Sequence, residues 1–163
     1  MTFKFLLYRL LQSQALHILC LWAIILLWGY TGLVKLLDFE SSHRAMRNQV
    51  FGNQAADVLV WLVPLAELLA AGLTAFARSR FAGLILSFFL MASFTLYILF
   101  VITNRFGRIP CSCGGIIETL SWEQHLLLNC FYLLIITYAL LRQRLLFYSH
   151  GLTYQERRCG ARN

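Results

Sequence analysis

The chain has 163 residues, of which 60% are hydrophobic and 13% are charged, and its formal net charge is +7. Soluble domains usually contain about half apolar residues, so this composition indicates a membrane protein and argues against a water-soluble enzyme domain. The sequence contains no Gly-x-Gly-x-x-Gly, P-loop, His-Glu-x-x-His or c-type haem motif. Nothing in it therefore supports nucleotide or zinc-protease chemistry, and membrane topology explains the positive charge better than nucleic-acid binding does.

Four apolar runs follow one another along the chain, over residues 10–34, 58–77, 81–104 and 124–141. A helix needs about 20 apolar residues to cross a hydrocarbon core of about 30 Å. Runs of this length are helices rather than strands, because lipid leaves every backbone polar group to be satisfied within its own segment. We therefore predict an all-α, four-helix transmembrane bundle with helices over about 12–36, 57–77, 81–103 and 122–141. They form a domain of residues 1–150, which is followed by a basic tail over 151–163.

The first run has an alternative interpretation as a cleavable signal peptide, because Lys4 and Arg9 precede it. However, it is longer than an ordinary signal core, and bulky Trp28 and Tyr30 stand where a cleavage site requires small residues. The pattern favours a retained helix.

The basic residues are distributed unequally between the two sides of the predicted bundle. One side would carry nine basic residues and the single acid Glu156; the basic residues are Lys4, Arg9, Arg78, Arg80, Arg142, Arg144, Arg157, Arg158 and Arg162. The other side has five basic residues (Lys35, Arg44, Arg47, Arg105, Arg108) and five acids (Asp38, Glu40, Asp57, Glu118, Glu123). Because basic loops stay in the cytoplasm, both termini are predicted to be cytoplasmic and residues 108–121 periplasmic.

Two thiols one residue apart stand out in this predicted periplasmic segment, which reads Pro110-Cys111-Ser112-Cys113-Gly114-Gly115. Pro110 restricts the backbone before the first thiol, and the Gly114-Gly115 pair permits a sharp turn after the second. The periplasm is oxidising, which suits dithiol chemistry. A disulfide closed over one intervening residue is strained and hence oxidising towards other thiols. We interpret Cys111 and Cys113 as a redox couple.

Two other interpretations of the hairpin stay open. A permanent disulfide would only stiffen the loop, and two thiolates would also suit Cu(I) or zinc, although His125 is the one obvious third ligand. Arg105 and Arg108 are close in sequence and would stabilise a thiolate, which favours the redox interpretation. Cys20 and Cys130 are expected to be packing residues at different depths, too far apart to pair.

Glu67 is the only formal charge in the second run, where Pro64 precedes it by three residues. A carboxylate near the middle of a span is costly, so it should face the bundle interior. It is either a proton acceptor, close to a quinone for example, or a hydrogen-bonding tie between helices. Lys35 is a candidate counter-ion, and Pro64 should free a backbone carbonyl nearby.

Two smaller expectations concern polar residues elsewhere. Ser121-Trp122-Glu123-Gln124 has the form of a capping box at the start of the fourth helix. By contrast, His17, His43 and His150 have no visible partners, so they are expected to be solvated or interfacial.

Three segments together resemble the MauE branch of the DoxX-like membrane proteins: residues 32–36 (Gly-Leu-Val-Lys-Leu), 64–68 (Pro-Leu-Ala-Glu-Leu) and the cysteine hairpin. The resemblance extends over residues 15–141 and is most specific at the hairpin. It implies a four-helix bundle with a Gly-x-x-Lys element, a Pro-x-x-Glu element and a Pro-Cys-x-Cys hairpin. It further implies a redox-associated protein of the bacterial inner membrane, linked in some members to disulfide formation in a periplasmic enzyme subunit and in other relatives to quinone reduction.

Together, these patterns favour a thiol–disulfide redox protein acting on a periplasmic cysteine-containing partner, with Cys111, Cys113 and Glu67 as the reactive residues. Lys35, Pro64, Arg108, Pro110, Gly114 and Gly115 would support them. Quinone is the candidate electron acceptor, and no metal site is expected. The competing hypothesis is a non-catalytic assembly factor or carrier whose hairpin is a structural clamp or a docking loop for a soft metal.

The predicted orientation can be tested by thiol labelling. A membrane-impermeant maleimide applied to reduced, intact spheroplasts is expected to label Cys111 and Cys113 and to leave Cys159 unlabelled until the membrane is permeabilised. Labelling of Cys159 alone would invert the topology and place the dithiol in the cytoplasm.

Overall fold

The chain folds as a multi-pass helical membrane protein. The structure, a computed structural model, describes residues 13–50, 52–105 and 121–160, with side chains up to residue 146. These ranges contain five helices and no strand: α1 Gln14–Leu37, α2 Phe39–Arg47, α3 Asn53–Ala75, α4 Arg80–Ile102 and α5 Trp122–Gly160. Four are long and apolar enough to cross a membrane, α5 over Trp122–Leu146. The predicted all-α fold with four spans is confirmed.

The helix bounds differ from the predicted ones at several ends. α3 begins at Asn53, because Gly52 is extended and lets the chain enter the helix four residues before the predicted start at 57. It stops at Ala75, where Phe76 is extended. α5 continues through the predicted tail to Gly160, in a stretch that contains no proline to interrupt it.

Side-chain caps fix the starts of α1 and α5. The Ser13 hydroxyl accepts from the Leu16 amide at 3.3 Å. At α5 the Ser121 amide donates to Gln124 Oε1 at 2.9 Å, and the Gln124 amide donates to Ser121 Oγ at 3.3 Å. The predicted capping box is confirmed, and it satisfies two amide groups that the first turn leaves without helical partners.

A short helix, α2, shifts α1 along α3. The ring of Phe39 lies 4.5 Å from that of Trp61, measured between centroids, and His43 reaches Asp57. Trp61 stands eight residues into α3, which is about 12 Å along a helix. The first turns of α3 therefore pack against α2, whereas Gly32 and Lys35 of α1 meet α3 farther along, at Pro64, Glu67 and Leu68.

Small residues bring the long helices close together. A Cβ on Gly32 of α1 would lie 2.9 Å from Leu68 Cγ and 3.1 Å from the Pro64 carbonyl oxygen of α3. A Cβ on Gly83 of α4 would collide with the backbone of Thr74. Such small-residue contacts allow helices to pack closely in lipid, where apolar burial gives little drive for association.

The buried core runs along the bundle axis and includes Ile24, Trp28, Leu84 and Ile136, none more than 2% exposed. Large apolar side chains instead cover the outside of the spans, such as Leu134 at 71% exposure. In a membrane protein these surfaces contact lipid tails. This accounts for an exposed apolar surface larger than soluble proteins usually have.

The two ends of the bundle differ in charge. We call the end with Arg78, Arg80, Arg142 and Arg144 the basic end. The opposite end consists of α2, the start of α3, the end of α4 and the start of α5. The segment over 106–120, with Cys111 and Cys113, joins α4 to α5 there and lies outside the described residues.

Candidate functional site

An ion pair joins α1 to α3 inside the bundle. Lys35 Nζ lies 2.7 Å from Glu67 Oε1 and 2.8 Å from Oε2, so the ammonium donates to both carboxylate oxygens. The side chain of Glu67 is 1% exposed, whereas that of Lys35 is 31% exposed. The candidate counter-ion of the sequence analysis therefore does pair with Glu67.

The shift produced by α2 explains how these two residues meet. Lys35 is two residues from the end of α1 and Glu67 is near the middle of α3, so a bundle with aligned helix ends would separate them in depth. Because α1 faces the central part of α3, the flexible lysine side chain reaches the carboxylate from the partly exposed side.

Neighbouring residues hold the pair in place. Gly32, one turn before Lys35, lets α1 approach the backbone of α3 at Pro64. Pro64 is accommodated inside a continuous α3 and has no amide hydrogen to donate, which leaves the Val60 carbonyl without its usual helical partner. Thr31 lies on the same face of α1, and its hydroxyl donates to the Leu27 carbonyl of its own helix at 2.9 Å.

The two charges of the pair differ in their surroundings, because Glu67 is buried and Lys35 is partly exposed. A lone carboxylate at this depth would cost about 2.5–3.5 kcal/mol on insertion scales. Contact with the ammonium offsets this cost, and the Lys35 side chain stays 31% exposed. The arrangement is suited to tying two helices together and to holding a carboxylate that can take up a proton if Lys35 moves away.

A second polar cluster forms where α2 meets α3. His43 Nε2 lies 2.6 Å from Asp57 Oδ1, and the Arg47 guanidinium donates to the same oxygen at 2.9 and 3.0 Å. The expectation that His43 has no partner is wrong. The sequence does show that His43 and Arg47 are four residues apart and hence on one face of a helix. It does not show that Asp57 lies opposite them, because that depends on the turn after α2.

His17 also departs from its predicted environment. It is buried at 5% exposure, and its Nε2 lies 3.3 Å from Gln143 Oε1 of α5. The expectation of a solvated or interfacial histidine is wrong because α5 covers this face of α1. His150 belongs to the part of α5 whose side chains are not described.

The predicted thiol site has only its flanks within the described residues. Cys111, Cys113, Arg108, Pro110, Gly114 and Gly115 all belong to the segment over 106–120. On one flank, α4 ends at Ile102, and Asn104, which has a φ of 53°, leads into an exposed Arg105. On the other flank, Ser121 opens the capping box of α5.

The two described cysteines do not pair with each other. Cys20 is a free thiol in the buried core, and Cys130 is a free thiol on the exposed surface of α5. Among the described side chains, no group of three or more His, Cys, Asp or Glu residues is arranged to hold a metal ion.

The sequence model of one protein family, described as methylamine utilisation protein MauE, matches residues 13–142. This range includes the first three spans and most of the fourth, the Lys35–Glu67 pair and both cysteines of the segment over 106–120. Neither the curated proteins nor the solved structures contain a match to the chain.

The ion pair predicts a large difference between two substitutions. Lys35→Met leaves Glu67 buried without its cation, a change that costs on the order of 3 kcal/mol. Arg47→Met breaks only the exposed pair with Asp57, in which both side chains are about half exposed, so it should cost little. The thermal unfolding midpoint in detergent should therefore fall clearly for Lys35→Met and change little for Arg47→Met.

The penalty of Lys35→Met should also shrink as the pH falls, because protonated Glu67 no longer needs a cation. Equal midpoints for the two variants at neutral pH would contradict the stabilising role of the pair.

Proposed function

Because the chain belongs to the methylamine utilisation protein MauE family, we propose that it is a membrane thiol–disulfide redox protein whose reactive couple is Cys111 and Cys113. The observation that carries this proposal is the Pro-Cys-x-Cys sequence in the 15 residues between Arg105 and Ser121. Both neighbouring helices have well-defined ends at one face of the bundle, so the couple is tethered close to the membrane surface.

The proposed reaction is an exchange between the hairpin and a cysteine-containing partner. A partner thiolate attacks the Cys111–Cys113 disulfide, one hairpin thiolate leaves, and a mixed disulfide forms. The second partner thiol then displaces the remaining hairpin sulfur. The partner is oxidised by two electrons and the hairpin becomes a dithiol. Arg105, exposed at the end of α4, favours the leaving thiolate.

Reoxidation of the dithiol requires an acceptor for two electrons and two protons. A membrane quinone would fulfil this role as it becomes quinol. Glu67 is the buried carboxylate available to take a proton, and its partner Lys35 would stabilise the charged form before transfer. The same contact equally supports a purely structural tie between α1 and α3, so the two roles need separate tests.

The charge distribution supports a location in a bacterial inner membrane. The basic end carries Arg78, Arg80, Arg142 and Arg144, and the acidic residues outside the spans whose side chains are described, Asp38 and Glu40, lie at the opposite end. Basic ends face the cytoplasm, which would put the hairpin in an oxidising periplasm with its partner.

The hairpin proposal predicts a specific outcome for single cysteine variants. Cys111→Ser and Cys113→Ser should both remain folded in the membrane, because the described helix contacts do not involve that segment, and both should lose disulfide transfer. One of them should also accumulate a mixed disulfide with its partner on non-reducing gels. Its remaining thiol can form that bond, but the second hairpin thiol that would release the partner is missing.

Other outcomes would favour the competing hypothesis of an assembly factor. A structural clamp predicts lower stability without a trapped partner, and a metal-docking loop predicts loss of bound copper or zinc. Cys130→Ser is the matched control, because it removes an exposed thiol from a helix surface. Normal downstream activity in the double Cys111→Ser/Cys113→Ser variant would overturn the proposal.

The proton role of Glu67 predicts that Glu67→Gln is inserted and folded but no longer cycles the hairpin between its two redox states. Gln can still hydrogen-bond, whereas it cannot accept the proton. Redox states are measured by gel-shift labelling of the thiols in cells. Glu40→Gln is the control, since it removes an exposed carboxylate from α2. Full cycling in a well-expressed Glu67→Gln variant would leave only the structural role.

A further inference from the structure

A cavity of about 660 Å³ lies at the basic end, between α1, the turn from α3 to α4, and α5. Its polar wall includes His17, Arg80, Arg142 and Gln143. Arg105 and Ser121, which flank the thiol segment in the sequence, lie at the opposite end of the bundle. The proposed redox chemistry therefore leaves this cavity unexplained.

His17 contributes a buried polar atom that the described residues do not satisfy. Its Nε2 is engaged with Gln143, but its Nδ1 is buried and has no hydrogen-bond partner among them. A buried polar atom without a hydrogen bond costs free energy. A group in the cavity that forms a hydrogen bond with Nδ1 would offset that cost. With the Gln143 amide turned so that its NH2 group faces Nε2, the neutral imidazole carries its proton on Nδ1 and leaves Nδ1–H for an anion.

The cavity is positively charged. Arg80 and Arg142 line it together with His17, which places two guanidinium groups near the imidazole. The Nε–H of Arg80 donates to the Thr74 carbonyl at 3.3 Å, which holds this guanidinium at the cavity wall. None of the described side chains that line the cavity is acidic, and the described ion pairs use their carboxylates elsewhere.

An apolar stripe leads from this polar wall towards the middle of the span. Ile18, Trp22 and Ile25 lie four and three residues apart on one face of α1, and all three line the cavity. Ile18 and Trp22 are also exposed on the outer surface, at 44% and 59%. The cavity is thus charged at the level where the spans end and apolar on the side where lipid tails begin.

We propose that this cavity binds an anionic phospholipid from the leaflet at the basic end. The phosphate would lie between the guanidinium groups of Arg80 and Arg142, which hold phosphate oxygens by charge-assisted hydrogen bonds, and His17 Nδ1–H would donate to it. An acyl chain would follow Ile18, Trp22 and Ile25. Basic pockets between transmembrane helices are suited to anionic headgroups. This site is independent of the proposed thiol reaction.

The test compares lipid binding to the full chain in an uncharged detergent. Dioleoyl phosphatidylglycerol and dioleoyl phosphatidylcholine are titrated, and binding is followed by native mass spectrometry and by the thermal unfolding midpoint. Phosphatidylglycerol is expected to bind more tightly and to raise the midpoint further. In Arg80→Gln/Arg142→Gln its affinity should fall roughly tenfold or more, since two cations near the phosphate are lost.

The chain offers a matched control. Arg78→Gln/Arg144→Gln removes the same charge from the same end, but both arginines are exposed and neither lines the cavity. This variant should retain the preference for phosphatidylglycerol. Because Arg80 also contacts the end of α3, Arg142→Gln alone serves as a second variant in case the double variant folds poorly.

Three results would overturn the proposal. An equal loss of affinity in the two double variants would mean that binding follows general surface charge. Stabilisation by inorganic phosphate alone, with the same dependence on Arg80 and Arg142, would mean that no lipid is required. Stabilisation by a short-tailed quinone but not by phosphatidylglycerol would assign the cavity to a quinone.

Discussion

The contact between Lys35 and Glu67 is the constraint on which the arrangement of the first three helices depends. A carboxylate in the middle of α3 is tolerated in lipid only with a partner, and the ammonium must arrive from α1. This requires the close approach at Gly32, because a side chain there would collide with Leu68 and the Pro64 carbonyl. It also requires α1 to sit deep along α3, which is possible because α2 continues the chain past the start of α3. The ion pair, the close contact at Gly32 and the short helix α2 therefore depend on one another.

The polar groups of the bundle are separated into layers with different chemistry. The cluster of His43, Arg47 and Asp57 lies at the opposite end, the buried ion pair lies inside, and the cationic cavity around His17 lies at the basic end. A hydrocarbon core of about 30 Å separates the two ends of such a bundle. A molecule in the cavity is therefore remote from Arg105 and Ser121, which flank the segment with Cys111 and Cys113. This separation favours a lipid rather than a redox partner in the cavity, and a quinone of the proposed reaction would have to bind nearer the ion pair.

Much of the fold could be predicted from the sequence because its signals are local. Each span is a continuous apolar run, and the capping box of α5 depends only on Ser121 and Gln124, three residues apart. Glu67 could be identified as an interior residue for the same reason, since a charge within an apolar run has few favourable positions. The environments of His17 and His43 could not be predicted, because each is decided by a residue on another helix, Gln143 at a separation of 126 and Asp57 beyond a turn.

The sequence by itself determined that this protein has four helical spans, that its basic residues gather at one end, and that two cysteines share one loop between the last two spans. These properties follow from composition and spacing, because the length of an apolar run decides whether it spans the bilayer and the basic residues decide its orientation. Only the tertiary structure decided which helices meet and at what depth. The pairing of Lys35 with Glu67 and the cavity around His17 depend on the axial shift between neighbouring helices. That shift is set by close contacts at Gly32 and by the length of α2, and no periodicity within a single helix encodes it.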